Sequence, residues 1–245
     1  MWIRQGFQRG FDRDMKFLLS QMFCRRITIG ILSIVRVIYF ARIGFSPVTI
    51  GILITLGTIV SALESLFFGI LSDRYGRKPF LVLGGIFSTL RLVLFAVSQN
   101  FWVLALAQGI GALGEGAGAG QPVVSGYIAE RTEARDRANV FSIFAISNAL
   151  GATIGSLLAG LPAYFQLSLY LDEVNSYTLL FWIGVIVNAM STILVLPIEE
   201  LTKKKKKTIE DAPVSKVSWK EVGKYCIIRS TDGLGMGLVD PMIAS

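Results

Sequence analysis

The chain has 245 residues, a formal net charge of +7 and no histidine; 53% of its residues are hydrophobic and 17% are charged. A soluble domain carries about a quarter charged residues, and here the apolar surplus is gathered into long runs. That excludes a water-soluble globule and predicts an all-α polytopic membrane protein. The absence of His excludes imidazole metal sites and His-based acid–base chemistry. Cys24 and Cys226 are the only cysteines; both fall near predicted cytoplasmic helix ends, where neither a disulfide nor a metal site is expected. The positive charge clusters in connectors, as membrane topology requires, which argues against nucleic acid as a partner.

Residues 1–16 form a basic lead in which Arg4, Arg9, Arg13 and Lys16 alternate with Trp2, Phe7 and Phe11. That pattern suits either the cytoplasmic interface of a membrane or a frayed tail. No cleavable leader is expected, because Arg25-Arg26 interrupts the first apolar run. Residues 17–198 are predicted to form six spans, at about 17–43, 48–71, 80–98, 101–129, 140–165 and 177–196. Each is long enough to cross, or nearly cross, a ~30 Å hydrocarbon core as a helix. The fourth span is rich in glycine, and the fifth carries Gly151-x-x-x-Gly155, a face for close helix packing. Residues 199–223 are polar and include Lys203 to Lys207, which read as a cytoplasmic linker. Residues 224–245 begin a seventh apolar segment that reaches Ser245 with no polar stop, so a truncated chain is expected.

The connectors predicted to lie inside each hold several Lys or Arg, whereas the outer ones hold essentially only Arg42. The N-terminus is therefore expected in the cytoplasm of a plasma-membrane protein. The connector between the second and third spans reads Gly69-Ile-Leu-Ser-Asp73-Arg74-Tyr-Gly76-Arg77-Lys78-Pro79. Gly76 is expected to make a tight turn, and Pro79 to open the next helix, where a missing N–H costs nothing. The two flanking spans are expected to be antiparallel neighbours.

Gly69, Asp73, Arg74, Gly76, Arg77 and Lys78, at this spacing, resemble the signature loop of the major facilitator superfamily of secondary transporters; an unrelated positive-inside hairpin is the plainer alternative. Gln108-Gly109-Ile110-Gly111-Ala112 resembles the core of that family's fourth helix, and Tyr127 to Glu130 with Arg137 its exit. The resemblance implies a six-helix N-terminal bundle, a partial seventh helix and a hinge after the sixth span. It also implies a charge cluster of Asp73, Arg77 and Glu130 at the cytoplasmic helix ends. Two positions depart from the family's antiporters: Ala105 stands where an Arg is frequent, and Ser156 replaces a proline in Gly155-Ser156-Leu157-Leu158-Ala159-Gly160. Drug–proton antiport is not read from these residues.

Charges inside predicted spans usually face a cavity or a partner. Arg36, Arg91, Glu115 and Asp240 are the candidate cavity or coupling groups. Arg36 and Arg25-Arg26 also lie within about three turns of an interface, where a long side chain can reach the headgroups. The expected function is gradient-driven transport of a small solute by alternating access. The proton or another ion is the candidate coupling partner, and no cofactor or metal is expected. Alternating access needs two bundles, so the missing bundle or a second copy is the expected protein partner, and lipid the solvent. A non-transporting remnant or membrane scaffold is the alternative. A membrane enzyme is disfavoured, because no phosphate-binding loop or nucleophile–base pair is visible.

Overall fold

The computed structural model describes residues 12–111, 120–133 and 135–199, all within one compact unit. The basic lead up to residue 11, Glu115, Asp240, the polybasic linker beyond Glu199 and the seventh segment lie outside the described residues. The fold is all-α. Its helices are α1 (Arg13–Arg42), α2 (Pro47–Tyr75), α3 (Lys78–Val97), α4 (Phe101–Gly111), α5 (Gly120–Arg131), α6 (Arg137–Leu158), α7 (Leu161–Leu169) and α8 (Glu173–Ile193).

Among the described residues, four stretches are long and apolar enough to cross a membrane: 47–72, 78–97, 137–169 and 173–193. α1 has the length, 30 residues, but it carries Arg13, Asp14, Lys16, Arg25, Arg26, Arg36 and Arg42. The expected fifth span is two helices in one stretch. α6 stops before Ala159-Gly160, and α7 restarts with Pro162 in its first turn, where a proline lacks the N–H that would continue the ladder. α8 begins earlier than the expected sixth span, so Glu173 and Asn175 belong to its first turn and not to an outer loop.

The charged connector is shorter than the sequence suggests. α2 runs through Ser72, Asp73, Arg74 and Tyr75, and only Gly76 and Arg77 separate it from α3. Gly76 has φ +100°, a conformation that costs a side-chain-bearing residue dearly. Its N–H closes α2 on the Ser72 carbonyl at 3.0 Å. Across this turn α2 and α3 touch little; both pack on α4. The expected hairpin pairing is thus replaced by a shared third helix.

α1 packs on α6 and α8, and α3 on α8 and α4. The α1–α6 contact is backbone on backbone. A methyl added at Gly155 would lie 2.9 Å from Gly30 Cα and overlap the Ile27 carbonyl, and one at Gly151 would lie 2.9 Å from the Phe23 carbonyl oxygen. The expected small-residue face is therefore the seam with α1, where small residues permit dispersion contacts that larger ones block.

The interior is layered. One apolar cluster holds Ile31, Leu32, Val35, Tyr39, Phe40, Leu53, Leu92, Phe95, Leu104 and Phe181. A second holds Met15, Leu18, Met22, Leu81, Val123, Tyr127, Phe144, Val195 and Ile198. On α1, α3 and α8 the residues between these clusters are polar and buried: Gln21, Arg25, Thr28, Ser88, Arg91, Asn188 and Ser191. Asn188 donates to the Gly85 carbonyl at 3.2 Å and to Thr89 Oγ1 at 2.8 Å, and Ser191 donates to the Gln21 carbonyl at 3.0 Å. Outside, Val48, Ile52, Ile59, Leu63, Phe67 and Ile70 leave an apolar stripe exposed along α2, as a lipid-facing or partner-facing helix requires.

Gly155→Ala is expected to destabilise the bundle by ~1–3 kcal/mol through overpacking. Gly51→Ala should be neutral, because nothing lies within 4 Å of the added carbon. Thermal melting of the detergent-solubilised chain compares the two.

Candidate functional site

The two-residue turn places Arg77 at the start of α3, facing α5. Its Nε and Nη2 donate to Glu130 Oε1 at 3.0 and 2.7 Å, and Nη1 donates to the Val123 carbonyl at 3.4 Å. Val123, Gly126 and Glu130 share one face of α5. Gly126 is the floor of the site, since a methyl there would collide with the Arg77 guanidinium. The Arg77 and Glu130 side chains are 14% and 29% exposed, so the pair is screened less than a surface bridge. Lys78 Nζ donates to the Leu196 carbonyl at 2.7 Å, tying the start of α3 to the turns after α8. Arg74 is exposed. Arg77 and Glu130 thus meet, while the Asp73 side chain and the surroundings of Gly69 lie outside what is described.

A second charged knot at the same end was not foreseen. Asp14, 4% exposed, accepts from Arg131 Nη2 at 2.8 Å and from the Glu199 N–H at 3.0 Å. The Glu199 carbonyl accepts from Tyr127 Oη at 3.0 Å and from Arg131 Nη2 at 3.3 Å. The Arg131 guanidinium lies 5.4 Å from the Tyr127 ring centre, within cation–π range. Arg137 donates to the Ala129 and Thr132 carbonyls at 2.9 and 3.2 Å, closing the end of α5. Reading 1–16 as an interfacial lead or a frayed tail hid Asp14. The signal available was periodicity, because Asp14 continues the buried row Leu18, Gln21, Arg25 and Thr28 of α1.

Of the expected cavity groups, Arg36 and Arg91 are described, and both reach α4. Arg36 Nη1 donates to Gln108 Oε1 at 3.2 Å. Gln108 is 2% exposed, and across from it α2 presents Gly57, where a methyl would contact Gln108 Cβ at 3.5 Å. Arg91, 1% exposed, packs against Gly111, which has no room for a side chain. The Gln108–Gly111 turn of α4 is therefore where the two arginines converge. On α1, Arg26 donates through Nε to Asn148 Oδ1 of α6 at 3.2 Å. At the opposite end, Arg42 and Glu173 join α1 to α8 at 2.8 Å, a largely exposed pair of little energetic weight.

Glu64 of α2 stands apart. It opens on an apolar groove of about 680 Å³ whose walls include Leu56, Phe68, Phe87, Trp102 and Ile110. Its Oε2 is buried and has no hydrogen-bond partner among the described residues.

A model of the Major Facilitator Superfamily matches residues 18–238. The chain belongs to this superfamily. It is 28% identical over 239 residues to the quinolone resistance protein NorA of Staphylococcus aureus strain MSSA476, covering 94% of this chain and 58% of that protein. It is 33% identical over 146 residues to a Cupriavidus pinatubonensis protein named "Probable 4-methylmuconolactone transporter", covering 58% of this chain and 32% of that one. The chain thus spans about half the length, or less, of these relatives. Among solved structures it resembles a POT-family peptide transporter with bound sulfate, with TM-score 0.60 and 16% identity over 94% of this chain and 46% of the other. An auto-inhibited POT-family peptide transporter gives the same score and identity over 78% and 39%. At that identity the likeness is one of fold. As a member of the superfamily with four membrane-length apolar stretches among its described residues, the chain is a multi-pass membrane protein.

Arg77→Ala and Glu130→Ala are each expected to cost ~1.5–3 kcal/mol, the range for a hydrogen bond to a charged group. A double-mutant cycle should return a clear coupling energy, and Gly126→Ala should mimic Arg77→Ala by evicting the guanidinium. Glu64→Leu is expected to raise stability by ~1–3 kcal/mol, because it removes a buried polar atom without a partner. A lower melting temperature for Glu64→Leu contradicts that reading of the groove.

Proposed function

We propose that this chain forms the N-terminal bundle of a gradient-driven secondary transporter that moves a small solute by alternating access. The observation that carries this reading is the convergence of Arg36 and Arg91 on one glycine-bearing turn of α4, inside an otherwise apolar bundle. A charge at membrane depth costs ~2.5–3.5 kcal/mol on insertion scales and usually marks a solute or ion path. Superfamily membership, and relatives whose names describe transport and drug resistance, point the same way. Glu115 and Asp240 complete the set as the carboxylates proposed to carry the coupling ion.

The working unit needs a second six-helix bundle, supplied by further polypeptide or by a second copy, because the site of such a transporter lies between two halves. The stripe along α2 offers an apolar face for such a partner. In this reading residues 17–198 are the six-span bundle, 199–223 the linker and 224–245 the start of the seventh helix. The end bearing Arg74, Arg77, Lys78, Arg131 and Arg137 faces the cytoplasm, because basic connectors are retained there. Asp73 joins Arg77 and Glu130 in a cluster at that end.

Proteoliposomes holding the complete transporter test the reading. Imposing a proton or sodium gradient should drive accumulation of a quinolone or of 4-methylmuconolactone, the two solutes that the relatives' names suggest. Glu115→Gln should reduce uptake and flatten its pH dependence. Unchanged uptake and unchanged pH dependence in that variant remove Glu115 from the mechanism, and gradient-independent leakage alone removes transport.

A further inference from the structure

Arg26 carries an inference that the cavity residues above do not. At about 1.5 Å per residue it lies about 20 Å along α1 from Arg13 and about 24 Å from Arg42, close to the middle of the helix. Its side chain is half-buried on the α1–α6 seam, where a methyl added at Gly151 would lie 2.9 Å from the Arg26 Cβ. A guanidinium keeps its proton at any working pH, so burial cannot neutralise it as it can a carboxyl or an amine. A charge half-buried on an apolar helix seam therefore needs an electrostatic partner.

The recorded partner among the described residues is an amide: Arg26 Nε donates to Asn148 Oδ1 at 3.2 Å. An amide orients the guanidinium without cancelling its charge. α6 contains neither Asp nor Glu, and Asp14, the one carboxylate on α1, is engaged by Arg131 and Glu199 near the far end of the helix. Arg25, 6% exposed and adjacent in sequence, adds a like charge to the same turn. The Nη1 and Nη2 donors of Arg26 form a planar fork that matches the two oxygens of a carboxylate, and the Asn148 amide nitrogen stands beside it as a further donor.

We infer that Arg26 and Asn148 form the position that holds the carboxylate of an organic anion, the class of solute this bundle carries. The inference rests on the transport reading for its biological meaning, but the binding site can be tested without transport. Arg26 is the binding residue; Asn148 positions it and contributes the second donor.

The test uses the 245-residue chain in detergent, with benzoate as the probe and benzamide as its neutral isostere, followed by saturation-transfer NMR and calorimetry. Benzoate should bind at least about tenfold more tightly than benzamide, a margin of one charge-assisted contact. Arg26→Gln should erase that preference, and Arg26→Lys should retain part of it as a point charge without the fork. Asn148→Ala, which leaves Gly151 and Gly155 in place, should weaken benzoate several-fold and serves if Arg26→Gln does not fold. Equal binding of benzoate and benzamide, no benzoate binding, or benzoate affinity unchanged in Arg26→Gln and Asn148→Ala overturns the site. So does a cross-link that places a carboxylate of the second bundle against Arg26 in the assembled transporter. Benzoate binding without uptake keeps this site and removes transport; uptake indifferent to Arg26→Gln does the reverse.

Discussion

A polar atom carried into a bilayer has no water to fall back on, and the bundle is arranged around that shortage. The layer of Gln21, Thr28, Ser88, Arg91, Asn188 and Ser191 lies between two apolar clusters and is bonded across helices, Asn188 to α3 and Ser191 to α1. Apolar packing alone would let α1, α3 and α8 slide by a turn with little change in buried area. Directional bonds at mid-height remove that freedom, because a slipped register leaves a buried donor unpaired. The layer therefore specifies register more than it adds stability.

Glycine works alongside these bonds. Gly30 and Gly155 bring α1 and α6 to backbone contact, Gly111 makes space for Arg91, and Gly126 for Arg77. In each case the missing side chain is answered by a particular neighbour. Two of those neighbours are arginines that otherwise could not enter the bundle, so glycine placement and charge placement form one pattern.

The sequence disclosed what short range decides. Gly76 turns, Pro79 opens a helix, and Gly151-x-x-x-Gly155 packs closely, because each depends on its own backbone or on one neighbouring helix. Arg77 and Glu130 were legible through a family pattern and not through spacing. What stayed hidden was long-range. The bond between the Glu199 N–H and Asp14 spans 185 positions, and the helical period that puts Asp14 on a buried row does not name its partner. The preference of α2 for α4 over α3 was hidden for the same reason: a tight turn implies adjacency, but packing faces decide which helices touch.

The arginines divide by the chemistry of their partners. At the basic end Arg77 meets Glu130 and Arg131 meets Asp14, and a carboxylate both holds and neutralises each guanidinium. Such pairs are costly to break once partly desolvated, which suits contacts that brace helix ends. Deeper in, the neighbours of Arg36 and Arg26 are the amides of Gln108 and Asn148. An amide fixes direction while leaving the field of the charge intact, and that field acts further in a medium of low dielectric than in water. An amide that orients Arg26 without neutralising it is the arrangement proposed above, in which the countercharge arrives with a solute from outside the bundle.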